Sequence, residues 1–89
     1  MPSKRMQRCP QVVRGTGTAE GEIKCTKIDL KFERALLDHA QGEAEDDARS
    51  KCPKGCKNIN LVEVKETVRR CRNGEVTLKF TASYECSQS

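Results

Sequence analysis

Residues 26–55 read TKIDLKFERALLDHAQGEAEDDARSKCPKG, and the spacing within them sets the architecture of the chain. Phe32, Leu36, Ala40, Ala44, Ala48 and Cys52 recur every four residues, with Ala35 and Leu37 alongside. That period draws one apolar stripe down a helix whose other sides carry Asp, Glu and Arg. Thr26, with Asp29 three residues later, has the arrangement of a capping box and marks the start, although Asp29 can itself serve as the cap. Pro53 and Gly55 stop the helix after Lys51. Small alanines let such a helix lie close to a sheet, while Gly42 costs about 1 kcal/mol in its interior.

From Ile59 to Cys86 the period changes to two. Val76, Leu78, Phe80, Ala82 and Tyr84 alternate with polar residues, the mark of a half-buried strand, and Val62, Val64 and Val68 lie on its partner. A two-residue Asn73-Gly74 loop would set Val76, Leu78 and Phe80 opposite Cys71, Arg69 and Thr67, which wastes the core face. A three-residue loop with Gly74 left-handed pairs Cys71 with Glu75, Val68 with Leu78, Val64 with Ala82 and Val62 with Tyr84, and this is the register expected. Upstream, Val12 and Val13 can begin a strand, and RGTGTAEGE at 14–22 reads as a loop, a bulge or a glycine-rich edge strand. Its spacing matches neither the Walker pattern nor GxGxxG. The expected fold class is α+β, one helix packed on a small antiparallel sheet in βαββ order, with a basic disordered arm at 1–8 and a single domain at 9–89.

A chain of 89 residues buries only about 60 to 65% of its unfolded surface. With Phe32, Phe80 and Tyr84 as its aromatic residues, most core area must come from smaller side chains. Six cysteines, Cys9, Cys25, Cys52, Cys56, Cys71 and Cys86, point to a stapled framework. Each bridge over loops of this length stabilises by roughly 3 to 4 kcal/mol in the chain-entropy picture.

A helix of about 22 residues is about 33 Å long, so Cys25 at its start cannot reach Cys52 at its end. In the expected register Cys86 lies opposite Asn60, far from Cys71. The chain leaves the end of the helix and runs back along it, which brings Cys71 towards Cys25. Cys86 then finishes near Cys52 and Cys56 and bonds to one of them, leaving the other for Cys9. The alternative gathers Cys9, Cys52, Cys56 and Cys86 around zinc, with zinc–sulfur distances of about 2.3 Å. CPKGC has a ligand-like spacing, but the second short cysteine pair of a zinc ribbon is missing.

The same CPKGC has one residue too many for a Cys-x-x-Cys redox motif. His39 sits among charged neighbours and reads as solvated, as do Glu43, Glu45, Asp46 and Asp47; no GxSxG element occurs. These features carry no catalytic signature, so a non-enzyme is expected. The net charge of +4 is uneven, with six Lys or Arg against two Glu between residues 52 and 72. Lys65, Arg69, Arg70 and Arg72 form the candidate contact surface for an acidic partner. So few aromatic residues argue against nucleic acid as that partner.

Residues 30–86 run from an alanine-striped helix into a hairpin with cysteines near its ends. This pattern resembles the small periplasmic cysteine-bonded βαββ modules typified by the Rcs outer-membrane stress-sensor lipoprotein. The resemblance implies a secreted or periplasmic location and assigns no residue a role. The opening MPSKRMQRCP lacks the apolar region of a secretory signal, so a mature domain with an added start methionine is expected, or else a cytoplasmic protein. No apolar run approaches the length of about 20 residues that spans a bilayer. The expectation is a disulfide-stabilised, extracytoplasmic binding or structural module without a cofactor. Its alternative is a cytosolic zinc-binding domain that contacts nucleic acid or protein.

Overall fold

The computed structural model describes residues 9–88 and contains β1 (Gln11–Glu22), a 3-10 turn (Cys25–Lys27), α1 (Leu30–Lys51), β2 (Asn58–Arg72) and β3 (Glu75–Ser87). The strands form one antiparallel sheet in the order β1-β3-β2, with α1 packed on one face, so the βαββ α+β expectation holds. The expected arm at 1–8 lies outside the described residues. Long strands lie beside a 22-residue helix, which gives the molecule extents of 61 × 18 × 17 Å.

The helix begins at the second of its two candidate caps. Asp29 is extended, and its carboxylate accepts the Phe32 N–H at 2.8 Å, while Thr26 belongs to the preceding 3-10 turn. An acidic N-cap satisfies an otherwise orphaned N–H and complements the helix dipole. At the other end the Cys52 N–H closes on the Arg49 carbonyl at 3.1 Å. Leu36, Ala40, Ala44, Ala48 and Cys52 are buried as the stripe requires; Phe32 and Leu37 are partly buried, and Ala35 is exposed.

The glycine-rich segment is an edge strand, and its composition follows from how close the helix comes. A Cβ on Gly15 would stand 2.1 Å from the Ala44 carbonyl oxygen, and one on Gly17 would stand 1.9 Å from that of Ala40. Helix backbone thus rests on strand backbone with no side chain between them. Next to this seam, β3 supplies Val76, Leu78, Phe80, Ala82 and Tyr84, all buried under α1.

The hairpin departs from the expected register. Its loop is the two residues Asn73 and Gly74, both with positive φ (53° and 81°), the geometry that matches the twist of the flanking strands. Arg72 therefore pairs with Glu75, Cys71 with Val76, Arg69 with Leu78 and Thr67 with Phe80. Irregularities at Val64/Glu66 and Leu61/Glu63 leave Lys65 and Val62 without a partner across the ladder and shift the pairing twice. Between them the expected pair of Val64 with Ala82 is met, but beyond them Leu61, not Val62, faces Tyr84, and Ile59, not Asn60, faces Cys86.

The physical reason is the position of the helix. It lies over β1 and β3, so β2 need not complete the core, and Val62 and Val64 are 56% and 47% exposed instead of buried. Pairing Cys71 with Val76 also turns Cys71 to the helix side, where Cys25 meets it.

Gly17→Ala should therefore destabilise by about 3 kcal/mol or more, because backbone cannot retreat from the added methyl. Gly42→Ala, with nothing within 4 Å of its Cβ, should stabilise by about 1 kcal/mol. Urea unfolding of the oxidised proteins checks both, and a neutral Gly17→Ala would contradict the close approach.

Candidate functional site

The two edges of the sheet are treated differently by the helix. On β1, the Thr16 N–H donates to Asp47 Oδ2 at 2.9 Å and the Thr18 N–H to Glu43 Oε1 at 3.1 Å, while Lys51 Nζ donates to the Arg14 carbonyl at 2.7 Å. Glu43, Asp47 and Lys51 stand one helical turn apart, each three residues after a buried alanine of the stripe. Together they occupy three of the backbone groups that an edge strand would otherwise offer to another chain.

This corrects the reading of the acidic run as entirely solvated. Glu45 and Asp46 are exposed, with Asp46 ion-paired to Arg49 at 3.2 Å, but Glu43 and Asp47 bind the strand. His39 is exposed and meets Glu43 at 3.2 Å. The Thr16 N–H, aided by Lys51 at 3.2 Å, holds the Asp47 carboxyl below its ordinary pKa against a smaller opposing effect of burial. On β3, burial pushes the Tyr84 phenol up, and the negative charge of Glu45 adds to the effect.

The β2 edge has no such cover: no strand pairs with its outer side among the described residues. Lys65, Arg69, Arg70 and Arg72 all lie on this strand and are exposed, but the sheet divides them. Lys65 sits in a bulge with Glu63 at 3.0 Å. Arg69 faces the helix side and is ion-paired to Glu33 of α1. Arg70 and Arg72 alternate onto the opposite face and have no ion-pair partner among the described residues.

Since α1 stops short of β2, a groove of about 660 Å³ opens between them. Leu30, Leu37 and Leu78 give it an apolar surface, Thr67 and Arg69 form the strand wall, and Lys31, Glu33 and Arg34 stand on the helix side. Leu30 is 84% exposed, an unusual place for a large aliphatic side chain, and Leu61, Val62 and Val64 are exposed further along β2. Sequence reasoning placed Val62 and Val64 in the core and did not find the groove. Leu30, an apolar residue off the stripe of four-residue period, was the signal available.

The cysteines are paired Cys25–Cys71, Cys52–Cys86 and Cys9–Cys56, with Cα–Cα separations of 5.8, 5.7 and 5.9 Å. This resolves the choice left open for Cys86. Cys52, Cys56 and Cys86 are buried in a small second core with Val13 and Ile59 packed against it, while the Cys25–Cys71 bond ties the opposite end of the sheet. Cys9, Cys52, Cys56 and Cys86 do gather at one end, as the zinc alternative required. Bonded as two disulfides, however, they present no thiolates to a metal, and no other cluster of three or more potential ligands occurs among the described residues.

Asp47→Ala should lower stability near neutral pH by about 1 kcal/mol, the value of a charged hydrogen bond reduced for partial exposure. The Asp47 pKa is depressed by folding, so its contribution is full above the unfolded carboxylate value of about 3.9 and fades as pH falls through the lower folded value. Unfolding of the two proteins should differ near neutral pH and converge in strong acid; a difference that persists in acid would remove Asp47's charge from the account. No protein-family model, curated protein or solved structure matches this chain.

Proposed function

We propose that the protein is a non-enzymatic, extracytoplasmic binding module, secreted or periplasmic, which presents the β2 side of its sheet to an acidic partner. The observation that carries this reading is the contrast between the two edges. β1 is capped at Arg14, Thr16 and Thr18 by Lys51, Asp47 and Glu43, whereas β2 has no such cover and carries Lys65, Arg69, Arg70 and Arg72. Three disulfides support the location, because such bonds persist in oxidising compartments and are rare in a reducing cytosol. No described helix is long and apolar enough to cross a membrane.

Two measurements test the reading. Intact mass with and without reductant should show the loss of two hydrogens for each of three disulfides and no retained metal. Six free thiols with bound zinc would instead move the protein to the cytosolic alternative. Titration with polyglutamate, followed by amide NMR, should shift resonances around Lys65, Arg69, Arg70 and Arg72, and polyglutamine should leave them in place. Equal responses to the two polymers would remove the acidic partner.

A further inference from the structure

Resting on that reading, we infer that the acidic partner docks as an extended strand added to the β2 edge, with alternate apolar side chains laid into the groove beside α1. The backbone geometry supplies the first part. Thr16 directs its N–H outward to Asp47, so Thr16 and Thr81 form a non-hydrogen-bonded pair. Alternation across β3 makes Glu66 and Thr81 a hydrogen-bonded pair and turns the backbone groups of Thr67, Arg69 and Cys71 to the open edge. The two-residue turn gives the same phase, because it places Arg72 and Glu75 in a hydrogen-bonded pair.

The usable edge is Glu66–Arg72, since the irregularities at Leu61/Glu63 and Val64/Glu66 interrupt the strand below it. Seven residues span about 23 Å, enough for an added strand of ordinary length. Side chains of a strand on this edge would alternate between two surfaces. On one lies the groove, with Leu30, Leu37 and Leu78. On the other lie Arg70 and Arg72, whose charges select acidic residues there.

Charge also selects against a second copy of this chain. Within Glu66–Arg72, Arg69, Arg70 and Arg72 outnumber Glu66, and across the groove Lys31 and Arg34 outnumber Glu33, the ion-pair partner of Arg69. Edge-to-edge pairing of two such strands would bring two net positive edges together. An alternating apolar and acidic segment meets both surfaces at once, the mode in which main-chain hydrogen bonds give affinity and alternate side chains give specificity.

The test uses the oxidised protein and a capped peptide of about eight residues, alternating Val and Glu. Its comparator has the same side chains, with N-methyl groups on the amides that would face β2. The alternating peptide should bind, slow exchange of the Thr67, Arg69 and Cys71 amides, and lose about tenfold or more in affinity on N-methylation. Thr67→Pro removes an outward N–H that the fold does not use and should weaken binding similarly while keeping the thermal transition. If that variant fails to fold, the N-methylated peptide and the double variant Arg70→Glu, Arg72→Glu still carry the test. Equal binding of the two peptides would overturn strand addition and leave the basic surface standing. Absence of binding by the alternating peptide would also overturn it, and the polyglutamate titration then judges the broader reading. Sedimentation that shows a dimer the peptide cannot dissociate would assign the edge to a second copy instead.

Discussion

Ala40 and Ala44 press their carbonyl oxygens onto Gly15 and Gly17, and the position of every other element follows from that seam. Because neither partner carries a bulky side chain there, α1 descends onto β1 itself, rather than onto the middle of the sheet. The large side chains that remain, Leu36, Val76, Leu78, Phe80 and Tyr84, fill the wedge between the helix and β3. A three-stranded sheet is thus covered by one helix at the expense of its third strand.

The asymmetry of the edges is the direct product of this offset. A helix seated over β1 has side chains within reach of that strand's outward backbone, and the row Glu43, Asp47, Lys51 meets the Thr16 and Thr18 N–H groups and the Arg14 carbonyl. The same helix is too distant to shield β2. That strand is guarded in other ways, by its two irregularities and by charge, both of which oppose indiscriminate pairing. A basic edge beside an apolar groove is what the proposed acidic strand would require.

So narrow a core needs covalent help, and the disulfides tie both of its ends. Two close the end where the helix finishes, joining Cys52 to Cys86 and Cys9 to Cys56, and the third ties the chain before the helix to the hairpin. With sequence separations of 47, 46 and 34, each is worth about 4 kcal/mol in the chain-entropy model. The Cys25–Cys71 bond also fits the two-residue turn, which sets Cys71 across from Val76 on the helix face.

Local periodicity by itself determined a helix ending at Lys51, the alternating core strand from Val76 to Tyr84 and the α+β class, because helix and strand impose repeats that a short window reveals, while the choice of Asp29 over Thr26 as the helix cap came with the structure. Chain length and direction also narrowed the cysteine partners, since a long helix separates Cys25 from Cys52. The register of β2 was decided only in three dimensions. Apolar matching favoured Val64 and Val62 inward, but that argument assumes a helix centred on the hairpin, and the glycines of β1 draw α1 away. For the same reason, the pairing of Glu43 and Asp47 with a strand more than twenty residues earlier, and the groove at Leu30, came from tertiary structure alone. Each depends on where two remote segments meet, and a pattern confined to one segment does not record that.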